Sequence, residues 1–406
     1  MAVAPARVPA RPGGRPRGRG PGYPGPADPA DPRRLGVSVS AASQPQRALG
    51  TRANPAGDVA VNVAPELTVA AALRDLESRD PAHRERAIQS VAGAILVELG
   101  ERGPSWRAAQ RHPRGGDALE ALWRVLDDER WPALRGAAFA ALGQLGDASR
   151  WEQALVYLEV AEDAAESESA GADTIERECA LIYISFVGVA ARDGGEPEVA
   201  ARSLTTLTQA LGHRLDDVRF QAAMGLAEIG GPDVEPALLA ALAHEASPRV
   251  RTQLVEALSL SERPSPAVVW ALRSIVGAAS EGLETRHAAA MVLAAARCPD
   301  AVAQLVESLR YVDVRDDAIE ALAVFPRDVA STAVSPVRRL ANGWRTPGAT
   351  RVRAAYALCR WSDPHGARWL QRLRFHPLGG VRAAVRDARE LLASDRPTRS
   401  VPVDVR

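Results

Sequence analysis

The chain has no lysine: all fifty of its basic residues are arginine. A bias that complete reads as GC-rich coding rather than selection for guanidinium chemistry, and it excludes a GxxxxGK(S/T) phosphate loop outright. Aromatics are only 4% of the 406 residues, against 46% for all apolar types together. The apolar mass is therefore mostly Ala, Leu and Val, which suits closely packed helices better than strands. The three cysteines (Cys179, Cys298, Cys359) lie far apart with no CxxC, which argues against a disulfide framework and a zinc knuckle. The longest mostly apolar run, CALIYISFVGVAA at 179–191, is too short to span a bilayer. Nor does the start of the chain contain the apolar core of a secretory signal. The expected location is the cytoplasm, with no membrane partner.

The zero net charge hides an asymmetry. Residues 1–64 hold nine Arg and three Asp, leaving 41 Arg against 47 acidic residues in the remainder. The segment contains VPARPGGRPRGRGPGYPGPADPADP, in which Pro and Gly recur too often for a packed core. It reads as a disordered basic tail, or as a leader translated from an upstream start. Residues 394–406 read as a second disordered tail. Between them, 65–393 has helical periodicity, broken at Gly, Pro and Asp clusters. It is interrupted by an acidic insertion, EVAEDAAESESAGADTIERE at 159–178, with eight acidic residues and one Arg. Such a run is expected to be a solvated loop.

What the chain has in abundance is one short pattern. DDVRFQAAMGLAEIG at 216–230 and LRGAAFAALGQLG at 134–146 share an apolar residue, an Arg and a run of small residues. Weaker copies surround them, and the aligned arginines are Arg84, Arg135, Arg177, Arg219, Arg251, Arg286, Arg315, Arg351 and Arg382. From Arg177 to Arg219 the interval is 42 residues, and afterwards it stays between 29 and 36. The later intervals suit one helix pair per repeat; the earlier ones require longer loops or an extra helix. Second helical segments such as VEPALLAALAHE at 234–245 lie between the copies. Each repeat is thus a helix A, a turn, a helix B carrying the pattern, and a turn.

With the arginine as position 1, positions 4, 5, 8 and 11 fall on one helix face and are expected in the core. In the 216–230 copy these are Ala222, Ala223, Leu226 and Ile229. The arginine stands in the first turn, where the helix dipole does not favour a cation. It needs a partner, either an acidic side chain or a carbonyl of an adjoining turn. Asp216, Asp217 and Asp313 lie near such arginines.

The pattern resembles the HEAT-repeat family, especially the phycobilisome-lyase-type repeats with the signature VRxxAAxALGxLGD, which LRGAAFAALGQLGD at 134–147 matches closely. The resemblance implies an all-α solenoid of about nine HEAT-like helix pairs. It also implies an arginine ladder between repeats, formed by Arg135, Arg177, Arg219, Arg251, Arg286, Arg315, Arg351 and Arg382. HEAT solenoids place their B helices along a concave side, so positions 2, 6 and 10 are expected to line a groove. Position 6 supplies Ile182, Met224, Glu256, Met291, Glu320 and Tyr356; position 2 adds Phe220 and position 10 adds Phe186. Apolar residues interspersed with glutamates suit an interaction surface. The expected function is accordingly non-catalytic binding of a protein or peptide by a scaffold or adaptor. The alternative is a HEAT-like enzyme in the same groove, a metal-dependent hydroxylase or a DNA-repair glycosylase.

Enzymatic motifs are scarce. His244-Glu245 is the one His-Glu pair of the kind that binds di-iron in deoxyhypusine hydroxylase, and a symmetric site needs several. The seven histidines include no HExxH, there is no GxSxG, and no cysteine has a histidine nearby in sequence. No cofactor and no metal are expected. A mildly acidic body makes nucleic acid an unexpected partner, and the basic tail lacks the repeated RGG units and interleaved aromatics of an RNA-binding segment.

Overall fold

The computed structural model describes residues 68–159, 170–231, 233–259 and 264–394. The two terminal tails lie outside the described residues, apart from Ser394, which closes the last helix. Nineteen helices and no strand occur among the described residues. In chain order, α1 (Val69–Asp75) pairs with α2 (Pro81–Glu98). After the short α3 (Ala108–Arg111), α4 (Gly115–Asp128) pairs with α5 (Pro132–Gln144), and α6 (Trp151–Glu159) with α7 (Ala170–Gly194). Next come α8 (Pro197–Ala210) with α9 (Asp216–Ile229), and α10 (Val234–His244) with α11 (Pro248–Leu258). They are followed by α12 (Pro266–Gly277) with α13 (Leu283–Ala295), and α14 (Ala301–Ser308) with α15 (Val312–Leu322). The last pairs are α16 (Ser331–Asn342) with α17 (Gly348–Arg360), and α18 (Pro364–Leu373) with α19 (Gly379–Ser394). These nine pairs form an α-solenoid whose second helices each carry one of the nine aligned arginines.

Local chemistry places the helix starts. Proline occupies the first turn of α2, α5, α8, α11, α12 and α18, where its missing N–H costs no hydrogen bond. Asp80, Ser265 and Asp363 cap α2, α12 and α18 by accepting backbone N–H bonds, satisfying donors that the helix leaves unpaired. The packing follows the small residues. Ala222, Ala223 and Leu226 are fully buried and Ile229 nearly so, as are Ala138 and Leu142 of α5. Successive B helices touch one another directly along the array, whereas successive A helices touch less. A methyl group added at Gly188 of α7 would lie 2.6 Å from Ile229 Cδ1 and 2.7 Å from Ser203 Cβ. Close approach is therefore a requirement at this crossing.

The long interval before Arg135 is filled by chain that folds back. Ser105 N donates to Gln144 O at 2.9 Å and Ala108 N to Leu145 O at 2.9 Å, pinning the 99–114 connection to the end of α5. Gly146 permits this twice over. Its φ is +64°, a conformation that favours glycine, and a Cβ there would stand 2.5 Å from Ser105 O. The described part of the acidic insertion is helical rather than the expected loop. Residues 160–169 lie outside the described residues, but from Ala170 the stretch is the first part of α7, with Glu176 and Arg177 buried. The helix begins inside a run whose charge had suggested solvation.

The arginines close two contacts at once. Arg84, Arg135, Arg219, Arg251, Arg315 and Arg382 each donate to the carbonyl six residues earlier, on Ser78, Glu129, His213, Glu245, Leu309 and His376. These carbonyls belong to the turn between helices A and B, so each guanidinium ties its own repeat together. Several also reach a carboxylate further along the chain: Arg84 to Glu129 at 2.9 Å, Arg135 to Glu176, Arg251 to Glu281 and Arg286 to Glu307 at 3.2 Å. Arg219 makes a bidentate pair with Glu245, at 2.7 and 2.8 Å. The acidic neighbours singled out in the sequence play another part: Asp217 pairs with Arg249. Towards the end of the array carboxylates give way to other partners. Arg315 and Arg382 bond backbone carbonyls, while Arg351 bonds Ala341 O at 3.3 Å and lies over the Trp369 ring at 4.7 Å. Arg177 is 7% exposed.

Candidate protein-binding surface on the B helices

The residues expected to line a groove separate into those the fold has already used and those it leaves available. Ile182 is a correction: it is only 6% exposed, because the 25-residue α7 packs against α5, α6, α8 and α9 together. Phe220 is half-buried, and the Arg249 guanidinium lies over its ring at 4.2 Å. Glu320 accepts from Arg353 at 2.6 Å, a residue that also bonds Asp316 at 3.0 Å. Tyr356 is half-buried against the core. Phe186, Met224, Glu256 and Met291 remain. The three apolar residues are half-buried and Glu256 is exposed.

Met224, Glu256 and Met291 hold the same position on α9, α11 and α13, so they form a row across three consecutive repeats. Helices in contact lie about 8–10 Å apart, which places one member of the row per helix spacing. The Glu256 carboxylate makes no hydrogen bond or ion pair among the described residues. The surrounding helices restrict its hydration and raise its pKa above the ordinary 4.5, because burial disfavours the charged form. Glu178, further back on the B face, is likewise raised by burial and by the nearby Asp217, with Arg249 acting against them. Glu228 accepts from Ser185 Oγ at 3.1 Å. The face therefore combines apolar side chains with carboxylates, two of which, Glu178 and Glu256, have raised pKa values.

The charge balance of the chain fits this setting. Residues 65–330 carry 26 Arg against 42 Asp and Glu, whereas residues 331–406 carry 15 Arg against five. The row on α9, α11 and α13 lies within the acidic part. This segregation is legible in the sequence only when charge is counted repeat by repeat.

Several groups that a catalytic reading could use have structural partners or shifted pKa values. Glu245 of the His-Glu pair is held by Arg219, whose hydrogen bonds are the main cause of its lowered pKa. Burial pushes the Cys179 thiol up to about 12 and the Cys359 thiol to about 11, so both stay protonated near neutrality and are poor nucleophiles. His287 is buried, shares a hydrogen bond with Ser308 Oγ at 3.0 Å, and has its pKa lowered by burial. No group of three or more His, Cys, Asp or Glu suited to a metal ion occurs among the described residues. No described helix is long and apolar enough to cross a membrane.

With helix pairs, arginines and buried small residues in place, the family comparison decides. The model described as HEAT repeats matches residues 204–283, and that of the PBS lyase HEAT-like repeat matches 285–311. Residues 204–283 and 285–311 are HEAT-type repeats. The matched HEAT repeats run from α8 to α14 and include the row of Met224, Glu256 and Met291. No curated protein matches the sequence. Among solved structures, an engineered protein is 18% identical, over 80% of this chain and 88% of its own, with a TM-score of 0.39. The complex of CpcE and CpcF of phycocyanin lyase from Nostoc is 19% identical over 70% of this chain and 98% of that one, at 0.36. Human deoxyhypusine hydroxylase in complex with glycerol is 18% identical over 65% and 84%, at 0.26.

Proposed function

We propose that this protein is a non-catalytic scaffold that holds a basic, apolar-anchored protein segment on the B helices of its central repeats. One observation carries the reading: Glu256, exposed and with its carboxylate unbonded among the described residues, stands between Met224 and Met291 in register. An Arg or Lys of a partner would lay its aliphatic stem along the methionines and present its cation to the carboxylate. The partner's cation would neutralise the Glu256 carboxylate, and Phe186 and Glu178 would extend the surface towards α7. The acidic balance of residues 65–330 would draw such a segment in and exclude acidic ones. None of these contacts favours the alternative of an enzyme in the same groove, since the thiols are protonated and Glu245 is committed to Arg219.

The reading is tested by selecting binders from a displayed random-peptide library on the purified chain. Enriched peptides should carry Arg or Lys next to apolar residues and should be lost with Met224→Asp. Enrichment of acidic sequences, or binders that ignore Met224→Asp, would overturn it.

A further inference from the structure

The last two repeats have a surface unlike the rest. From residue 329 to residue 386 the chain carries eleven arginines and one acidic residue, Asp363. That carboxylate is 3% exposed and already bonded to Arg338 at 2.6 Å and His365 at 3.0 Å. Arg353 of α17 pairs with Asp316 and Glu320 of α15, but no exposed carboxylate between residues 329 and 386 offsets the remaining arginines.

In a chain with few aromatics, this part also displays them. Trp344, in the turn between α16 and α17, is 80% exposed. Phe375, in the turn between α18 and α19, is 73% exposed. Both turns lead from helix A to helix B, so they lie on one edge of the array in adjacent repeats. Each ring is paired with its neighbour in sequence: Arg345 lies 4.6 Å from the Trp344 ring and Arg374 lies 4.3 Å from that of Phe375. Trp369 stands on the intervening α18, with Arg351 at 4.7 Å and Arg372 at 5.2 Å from its ring and its indole N–H donated to Asn342. The same turn one repeat earlier exposes Tyr311, directly after Arg310.

Exposed rings alternating with guanidinium groups, without carboxylates to neutralise them, suit a ligand that alternates flat faces with anions. Single-stranded nucleic acid is such a ligand: its bases stack on aromatic side chains while its phosphates take the cations. An acidic peptide would satisfy the arginines but leave the ring faces without a flat partner. We propose that the A-to-B turn edge of the last two repeats binds single-stranded nucleic acid, with bases on Trp344 and Phe375 and phosphates on Arg345, Arg372 and Arg374. This departs from the expectation drawn from the charge of the whole body, which averages an acidic array with its basic end.

The test uses the full chain, a fluorescent twenty-nucleotide oligo-dT and a polyglutamate peptide of equal charge, read by anisotropy. Oligo-dT should bind and should weaken roughly twenty-fold between about 50 and 200 mM salt, as expected for about three phosphates released from counterions. Trp344→Ala and Phe375→Ala should each weaken it roughly tenfold or more while leaving the salt dependence unchanged. Arg345→Gln with Arg374→Gln should instead flatten the salt dependence. All four side chains are at exposed turns, and unchanged far-UV circular dichroism would establish that the variants fold. Absence of oligo-dT binding at low salt would overturn the proposal. So would polyglutamate binding as tightly as oligo-dT, or aromatic variants that bind like the parent, which would assign the affinity to charge elsewhere, such as the basic residues 1–64.

Discussion

Replacing Arg219 with methionine keeps the stem of the side chain and removes its charge and all its donors. The loss can be estimated from the contacts. The guanidinium makes two bonds to the Glu245 carboxylate and one each to His213 O and Arg214 O, all between 2.7 and 2.9 Å. The side chains are 17% and 5% exposed, so removing the cation strands a largely buried carboxylate that retains the Ser247 N–H at 2.8 Å. Stranding one partner of a buried pair costs ~3–5 kcal/mol, and the residual exposure of Arg219 places this one at the lower end, about 3 kcal/mol. In a solenoid the loss concentrates near the α9–α11 junction. Amide exchange of α9 and α11 should accelerate by about two orders of magnitude, with α2 and α19 unaffected. The pH dependence gives a second check. Glu245 has its pKa lowered in the fold, chiefly by Arg219, so its stabilisation is present above the ordinary value of 4.5 and lost as pH falls through the lowered one. The gap between parent and variant should therefore close in acid. Exchange at α9 and α11 unchanged at neutral pH would refute the ladder as a source of stability.

Other outcomes follow from single positions. Leu142→Ala and Leu226→Ala, both at fully buried sites, should each cost ~2–5 kcal/mol in denaturant unfolding; unaltered midpoints would mean that the repeat register is wrong. Gly188→Ala should cost ~1–3 kcal/mol by forcing α7 away from Ser203 and Ile229, and a neutral result would show that this crossing has slack. Burial lowers the His287 pKa below its ordinary 6.5, so the fold loses stability as pH falls from about 6.5 towards the lowered value, because only the unfolded chain takes up the proton readily. His287→Gln should reduce the drop in melting temperature between about pH 7.5 and 5.5; an identical drop would remove His287 from the acid response.

The repeat itself was legible because an arginine and small apolar residues recur at helical spacing. Ala222, Ala223, Leu226 and Ile229 could be assigned to the core from that spacing alone. Which surface positions stay open was not legible in the same way. Periodicity gives the angle at which Ile182 leaves its helix but not that α7 is surrounded on several sides. Nor does it show that Arg249 would lie over Phe220 or that Arg353 would take Glu320. The ladder partners were hidden for a related reason. Asp216 and Asp217 are near Arg219 in sequence, but the guanidinium points to Glu245, 26 residues away. The start of α7 inside the acidic stretch was concealed because buried Glu176 is tolerable only beside Arg135, a contact between different repeats.

The most direct test of the scaffold reading is a charge swap across the proposed contact, measured as the affinity of a library-selected basic peptide for the purified chain. Glu256→Arg should weaken binding by roughly thirty-fold or more, and replacing the peptide's critical Arg or Lys with Glu should restore binding to Glu256→Arg but not to the parent. Undiminished binding to Glu256→Arg, or a swapped peptide that fails to recover, would contradict the assignment of Glu256 and its flanking methionines as the binding surface.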